Sequence, residues 1–201
     1  MDILVATNNK GKIKEIERLL TDRSKSVKLY SLSDFNIDGD CPETGQTFLE
    51  NSVEKALYYS RIAEKHTPAI YTVADDSGLA VEVLGGRPGV HSARYAGLPT
   101  NDEKNIQKLL DELKDKENRK AKFVTVVTLA RNGKVIESFT GEVEGILLRE
   151  KRGSGGFGYD PIFYYPPLQK TFAELSTEEK NRISHRANAF KKLKEFLESE
   201  I

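Results

Sequence analysis

The chain has 201 residues, with 31 Lys or Arg against 31 Asp or Glu, so its formal net charge is zero. No stretch approaches the roughly 18 consecutive apolar residues of a membrane-spanning helix, and a balanced charge gives no support to nucleic-acid binding through bulk electrostatics. The amino terminus enters an apolar strand at once, without the basic start of a signal peptide, and Cys41 is the only cysteine. These features predict one globular, cytoplasmic domain over residues 1–201 that binds neither membranes nor nucleic acid.

The first half of the chain alternates apolar strands with helical patterns. A strand, a polar turn and a helix in that order indicate a parallel sheet. The predicted elements here are a strand at 3–6, a helix from Ile13 to Leu20, a helix at 44–64, and strands at 69–74 and 79–84. The strand at 69–74 is expected to end at Asp75.

The second half adds a long hairpin. Asn132-Gly133 between two apolar runs is the strongest short hairpin signal, and it predicts antiparallel neighbours in a mixed sheet. The elements expected here are a helix opened by a capping box at Thr100–Glu103, strands at 123–130 and 135–146, a glycine-rich loop at 151–160, a strand at 162–164, a helix from Ser176 to Ile183, and a last amphipathic helix. The whole chain therefore predicts an α/β fold with a long mixed central sheet flanked by helices.

A polar turn joins the first strand to the first helix. Backbone N–H groups at a helix N-terminus, together with lysine side chains, can bind a phosphate. The turn is not a Walker A motif, because Ala6 and Ile13 stand where that motif needs Gly and Ser or Thr. A solvated loop is the alternative, but lysines at the positive end of a helix are unfavourable for stability alone, which favours an anion site. The turn consists of Thr7, Asn8, Asn9, Lys10, Gly11 and Lys12.

Two adjacent carboxylates, Asp75 and Asp76, follow the predicted strand at 69–74. The carboxyl ends of strands in open α/β sheets are where ligands bind, and a carboxylate there can hold Mg²⁺ or polarise a water. Because side chains alternate along a strand, only one of the pair should face a given cleft. Glu43 and Glu50, just before and inside the helix predicted at 44–64, could supply a further acidic ligand. The alternative is an Asp-rich turn that caps the strand, and Lys55 taken alone reads as a surface lysine.

The glycine-rich loop contains two aromatic residues, Phe157 and Tyr159. Glycines allow close approach of the backbone, and either ring could stack on a base; a flexible surface loop is the alternative. His185 and Arg186 fall between two helical patterns and suit ligand contacts better than a Ser-His nucleophile, because adjacent residues rarely meet in triad geometry. Together these segments favour a nucleoside triphosphate as ligand.

The motifs resemble those of the inosine/xanthosine triphosphate pyrophosphatases, in the family's order and over nearly the whole chain. One departure is Asn8, where most relatives have Gly; Asn tolerates a left-handed backbone best after Gly. The matching segments are Thr7–Lys12, Glu43–Gly45, Phe48–Asn51, Ala74–Leu79, Gly89–Tyr95, Gly155–Pro161 and Ser184–Arg186.

The resemblance implies Mg²⁺-dependent hydrolysis of ITP, dITP and XTP to the monophosphate and pyrophosphate by a homodimer. It also implies two lobes with the active site in a cleft between them. Glu43 and Asp76 would bind the metal, Asp76 would be the general base, and Ser77 would touch the substrate. Thr7 to Lys12 and Lys55 would hold the triphosphate. The residues of the nucleobase pocket would be Phe157, Gly158, Tyr159, Asp160, Lys180, His185 and Arg186.

Three other functions fit parts of the pattern. A pyrophosphatase for modified pyrimidine nucleotides would keep the phosphate site and change the base pocket. A nucleotide sensor would bind without hydrolysis, although clustered carboxylates beside a triphosphate make sense only with a metal. A single-strand nucleic-acid binder using the loop aromatics would need a continuous basic groove, which the zero net charge does not support.

Overall fold

The computed structural model describes residues 1–21 and 27–200. Five α-helices and seven β-strands form the framework of this described part. The helices are α1 (Lys10–Leu20), α2 (Phe48–His66), α3 (Asp102–Glu112), α4 (Thr177–Ile183) and α5 (His185–Glu200). The strands are β1 (Asp2–Val5), β2 (Lys28–Ser31), β3 (Tyr71–Val81), β4 (Lys120–Arg131), β5 (Lys134–Leu147), β6 (Phe163–Tyr165) and β7 (Lys170–Thr171). None of the helices described is long and apolar enough to cross a bilayer.

The strands form one mixed sheet in the order β2-β1-β3-β4-β5-β6-β7. Strand β1 runs parallel to both β2 and β3, whereas β6 is antiparallel to β5 and to β7. The parallel part comes from the strand–helix alternation of the first half, and the antiparallel part contains the long hairpin. The predicted α/β fold with a mixed central sheet is confirmed.

The chain divides into two compact units, each with its own core. The first unit comprises 1–76, 125–141 and 186–201, and the second comprises 77–124 and 142–185. In the first, Ile3 and Val5 of β1 pack with Leu129 of β4 and with Phe190 and Leu193 of α5. In the second, the core contains Leu79, Ile106, Leu109, Phe123, Phe163 and Phe172.

Two predicted boundaries near the acidic pair are wrong. Strand β3 does not end at Asp75 but continues through Asp76, Ser77 and Gly78 to Val81. The predicted strand at 79–84 is therefore the end of β3, followed by a short 3₁₀ turn at Glu82–Leu84. Charged residues are usually excluded from a buried strand, but here Asp75 is matched by buried cations, so the strand can run through it.

Local side-chain chemistry sets the helix starts. Helix α2 begins at Phe48 rather than near Thr44, because the Thr47 hydroxyl accepts the Glu50 N–H and completes a capping box. Helix α3 is capped by Asn101, whose side chain accepts the Lys104 N–H, and not by the predicted Thr100. The capping box that starts α4 at Ser176 is confirmed.

The hairpin turn between β4 and β5 is also confirmed. Asn132 and Gly133 both have positive φ, at 53° and 67°, as the tight turn of a two-residue hairpin requires. Strands β2 and β7 were not predicted. Each has four residues or fewer, which is too short for an alternation pattern to show.

Candidate functional site

Charged side chains converge at the middle of β3 in the first unit. We call this group the charged cluster. It comprises Lys12 and Glu15 from α1, Lys55 from α2, Asp75 and Asp76 from β3, Arg186 from α5, and Glu43 from the segment before α2. Most of its members are buried, so their charges interact through protein rather than through water. Such interactions are stronger and less screened than those on a surface.

The turn before α1 presents lysine side chains rather than a row of open N–H groups. The Asn9 side chain caps α1 and accepts the N–H groups of Gly11 and Lys12 at 2.9 and 3.1 Å. The Thr7 hydroxyl accepts the Asn9 N–H, which orders the approach to the cap. Lys10 stays exposed. Part of the predicted N–H cradle is therefore already bonded to Asn9, and the positive charge of Lys12 is directed into the cluster.

Asn8 occupies an ordinary backbone conformation. The non-glycine residues with positive φ in the described chain are Asn36, Ala69, Asn132 and Gln169, and Asn8 is not among them. Its side-chain amide donates to Asp40 Oδ1 at 3.0 Å. Asn8 is therefore accommodated in this turn without a left-handed backbone.

Asp75 is held by buried cations. Its Oδ2 atom lies 2.9 Å from Lys12 Nζ and 3.5 Å from Arg186 Nε, and Lys55 Nζ donates to its backbone carbonyl at 3.0 Å. Burial alone would raise the pKa of Asp75, but the charges of Lys12, Arg186 and Lys55 outweigh it and hold that pKa far below its usual range. Arg186 also forms an ion pair with Glu15 of α1. Asp75 is therefore a permanently charged anchor for the cations around it.

Asp76 has the opposite electrostatic character. The side-chain amide of Asn51 donates to its Oδ2 at 3.0 Å, and the Thr125 hydroxyl donates to its backbone carbonyl at 3.2 Å. Burial raises the pKa of Asp76, and the nearby charge of Glu43 adds to this, against the lowering effects of Lys55, Lys12 and Asn51. A carboxylate with a raised pKa is the stronger proton acceptor of the two. Neighbouring carboxyl groups whose pKa values are pushed apart are typical of acid–base sites.

Glu43 and Lys55 complete this side of the cluster. Lys55 Nζ lies 2.7 Å from Glu43 Oε1. Burial would lower the pKa of Lys55, but Asp75, Glu43 and Asp76 raise it overall, so this lysine stays protonated. Glu43 and Asp76 are both carboxylates close enough to influence each other electrostatically. No group of three His, Cys, Asp or Glu side chains in the described residues could hold a metal on its own.

The two carboxylates Glu43 and Asp76 fit Mg²⁺ rather than a transition metal. Mg²⁺ is commonly bound by one or two carboxylates together with waters and substrate phosphates, and Glu43 and Asp76 can supply the two carboxylates. The residues present therefore suit a metal that binds together with a phosphate-containing ligand.

The second unit contains the residues predicted to contact a base, apart from Arg186. Lys180 Nζ and Asp160 Oδ2 form a buried ion pair at 2.7 Å, and Asp160 Oδ2 also accepts the Phe157 N–H at 3.0 Å. Lys180 Nζ lies 4.8 Å from the centre of the Phe157 ring. The His185 ring stacks on Phe123 with their centres 4.9 Å apart. These contacts order the glycine-rich loop and the start of α5.

The two loop aromatics differ in their surroundings. Tyr159 is 4% exposed, belongs to the hydrophobic core, and donates its hydroxyl to the Ser92 carbonyl at 2.8 Å. Burial raises its pKa far above the usual value. Phe157 is half-buried. Of the two rings proposed for base stacking, Phe157 is thus the one with an accessible surface. Tyr159 instead attaches the loop to the hydrophobic core of the second unit.

The predicted site residues fall into two groups. Arg186, which the resemblance assigns to the base pocket, is 1% exposed and contacts Glu15 and Asp75 in the first unit. Its neighbour His185 belongs to the second unit, as does Ser77. The residues of the phosphate and metal sites lie in the first unit, and those of the base pocket other than Arg186 lie in the second.

The sequence patterns did not single out two residues of the site, Glu15 of the charged cluster and Asn51 beside it. Asn51 precedes Lys55 by four positions on α2, and Glu15 follows Lys12 by three on α1. Residues at these spacings share one face of a helix, so each could have been predicted to accompany its lysine. Their partners, Asp76 for Asn51 and Arg186 for Glu15, were not predictable from spacing, because they are distant in sequence.

The fold and the charged cluster define an α/β protein with a candidate site for a polyanion and a divalent cation. The chain belongs to the Ham1 family, whose model matches residues 3–196. It is 45% identical over 199 residues to a protein of Staphylococcus epidermidis named dITP/XTP pyrophosphatase, covering 99% of this chain and 97% of that one.

Solved structures agree with this assignment. The Ham1 protein of Staphylococcus aureus matches with a TM-score of 0.86 at 42% identity, over 100% of both chains. A HAM1 protein from Coxiella burnetii matches with a TM-score of 0.87 at 40% identity, over 98% of both chains. The mixed sheet and the order of its elements are thus those of a family with known structures.

Proposed function

We propose that this protein hydrolyses dITP, ITP and XTP to the nucleoside monophosphate and pyrophosphate, with Mg²⁺ as cofactor. It is a nucleoside triphosphate pyrophosphatase, a hydrolase of phosphoanhydride bonds, in accordance with the names of its full-length relatives. We also propose that it acts as a cytoplasmic homodimer, as the resemblance implies. Removal of non-standard purine nucleotides from the triphosphate pool would follow from this activity.

The observation that carries the proposal is the geometry of two adjacent carboxylates in β3. Asp75 lies 2.9 Å from Lys12 and 3.5 Å from Arg186, whereas the carboxylate of Asp76 accepts the Asn51 amide at 3.0 Å and burial raises its pKa. Asp76 can therefore take a proton from an attacking water, while Asp75 keeps the lysines in place. Phosphoryl transfer needs positioning and charge neutralisation more than covalent chemistry, and the charged cluster has the groups for both.

Each residue has a role in this proposal. Bound Mg²⁺ would neutralise phosphate charge, with Glu43 and Asp76 as its protein ligands. Lys12 and Lys55, which both lie beside carboxylates, would bind phosphate oxygens and stabilise negative charge that develops in the transition state. Asp76 would orient the water and accept its proton. Asn51 would fix the rotamer of Asp76 through its amide.

Base selection would come from the second unit. Phe157 offers a half-buried ring for stacking, and His185 can donate to the 6-oxo group of hypoxanthine or xanthine. Adenine has an amino group at that position, so a donor there would lose its partner, at a cost of about 1–3 kcal/mol. Guanine also has a 6-oxo group, and its rejection must come from contacts to the 2-amino side.

The proposal is tested by following pyrophosphate release from ITP, dITP, XTP, GTP, ATP and dUTP, each with and without Mg²⁺. We expect metal-dependent release from ITP, dITP and XTP that is at least about tenfold faster than from ATP or GTP. Fast release from dUTP instead would support a pyrimidine-nucleotide pyrophosphatase. Tight binding without turnover would support a nucleotide sensor.

Replacement of Lys55 by Ala tests the phosphate site. Loss of this protonated side chain should raise KM for dITP by about tenfold and lower kcat, because a charge-assisted contact to phosphate contributes about 1.5–3 kcal/mol. Steady-state kinetics of pyrophosphate release measure both constants. The matched control is Lys65→Ala, an exposed lysine on the same helix. An unchanged KM together with an unchanged kcat would contradict the assignment.

A further inference from the structure

The first turn of α3 holds the glycine-rich loop at two points. Asp102 Oδ2 accepts the Gly158 N–H at 2.7 Å, and Glu103 Oε2 lies 2.5 Å from Lys151 Nζ. Lys151 stands at the start of the loop, and Gly158 directly follows Phe157. Two neighbouring carboxylates on one helix therefore bind the loop at its beginning and next to its accessible aromatic ring.

The loop depends on such anchors because its backbone is permissive. Gly153, Gly156 and Gly158 all have positive φ, at 81°, 72° and 59°, a region open to glycine at little cost. A Cβ atom added at Gly158 would meet nothing within 4 Å, so neighbouring side chains do not confine this residue. The hydrogen bond that the Gly158 N–H donates to Asp102 connects this amide to a regular element.

Asp102 is not needed to cap its own helix. Asn101 caps α3 by accepting the Lys104 N–H at 2.9 Å. The side chain of Asp102 instead leaves the helix and reaches the loop. Within the loop, the Tyr159 hydroxyl donates to the Ser92 carbonyl. The side-chain amide of Asn105 in α3 donates to the carbonyl of the next residue, Ala93. Helix α3 thus supports the loop both directly and through the segment that contains Ser92 and Ala93.

We propose that Asp102 is a positioning residue that holds the Phe157 ring in the orientation needed to stack on the substrate base. The inference rests on the proposed function. Asp102 acts through the backbone: with the Gly158 amide fixed, the peptide joining it to Phe157 has a defined plane. The Phe157 amide is fixed separately by Asp160. The two carboxylates thereby constrain the amides on both sides of the Phe157 α-carbon.

Asp102→Ala separates this role from a structural one. Loss of the acceptor should raise KM for dITP by about tenfold, with kcat changed by less than about twofold. Inhibition by inorganic tripolyphosphate, which has no base, should keep its inhibition constant. Asp102→Asn retains an oxygen that can accept the Gly158 N–H, so it should recover most of the affinity for dITP. The control is Asp111→Ala, an exposed carboxylate at the other end of α3.

The outcomes are distinguishable. An unchanged KM in Asp102→Ala, or an equal loss of affinity for dITP and tripolyphosphate, would overturn the positioning role while leaving the proposed function standing. A fall in melting temperature that accounts for the activity loss, with no recovery in Asp102→Asn, would also overturn it. Wild-type protein that does not hydrolyse dITP would overturn the proposed function, and the inference with it.

Discussion

Asp76→Asn is expected to lower kcat for dITP by about 10³-fold or more, because general-base catalysis alone contributes about 10²–10⁴-fold and a proposed metal ligand is lost as well. The fold should survive. Asparagine has the same shape, and its side-chain oxygen can still accept from Asn51, which donates to Asp76 at 3.0 Å. The measurement is steady-state pyrophosphate release, accompanied by a thermal unfolding curve.

The control for this experiment is Asp38→Asn, which alters an exposed carboxylate elsewhere in the first unit. Its kcat and melting temperature should match those of the wild type. If Asp76→Asn retained more than about a tenth of the wild-type kcat, Asp76 could not be the general base. Its buried position and raised pKa would then need another explanation.

Asp75→Asn is expected to destabilise the protein rather than only slow it. The Asp75 side chain is fully buried and lies beside Lys12 and Arg186. Removing one partner of a buried ion pair leaves charge uncompensated, at a cost of about 3–5 kcal/mol. For a chain of this size that corresponds to a fall of about 10 °C in melting temperature. Denaturant unfolding and thermal scans measure the effect.

The pH dependence of this loss follows from the direction of the pKa shift. The pKa of Asp75 is lower in the folded protein than in the unfolded chain, so its stabilising effect is complete above the ordinary value of about 3.9 and is lost as pH falls through the folded-state value. The stability difference between wild type and Asp75→Asn should be constant from about pH 5 to 8 and should shrink below about pH 4.

A second variant separates charge from shape. Lys12→Met combined with Asp75→Asn removes the cation that Asp75→Asn leaves without its partner, while Arg186 keeps Glu15 and Lys55 keeps Glu43. The double variant should therefore regain stability relative to Asp75→Asn alone. Equal stability of the two variants would mean that the loss does not arise from an uncompensated Lys12 charge.

Patterns that are local in sequence predicted most of the fold. The hairpin at Asn132-Gly133 and the capping box at Ser176 are confirmed because their chemistry lies within a few residues. Helix α3 was predicted near its true start, but with Thr100 instead of Asn101 as its cap. Both residues can cap a helix, and only the backbone geometry decides between them.

The path of the chain through the acidic pair could not be predicted from the local sequence. Asp75-Asp76-Ser77-Gly78 has the composition of a turn, yet β3 continues through it. The cations that allow this, Lys12 and Arg186, come from α1 and α5 and are separated from Asp75 by more than 60 residues along the chain. No pattern within β3 could have indicated them. For the same reason the contact between Arg186 and Asp75 was not predicted.

The most direct test of the proposed chemistry is phosphorus NMR of the products formed from dITP and Mg²⁺ by the wild type and by Asp76→Asn. We expect the wild type to form dIMP and pyrophosphate in equal amounts, and Asp76→Asn to leave dITP essentially unchanged over the same period. Formation of dIDP and orthophosphate, or no consumption of dITP by the wild type, would contradict the assignment of this protein as a nucleoside triphosphate pyrophosphatase acting through Asp76.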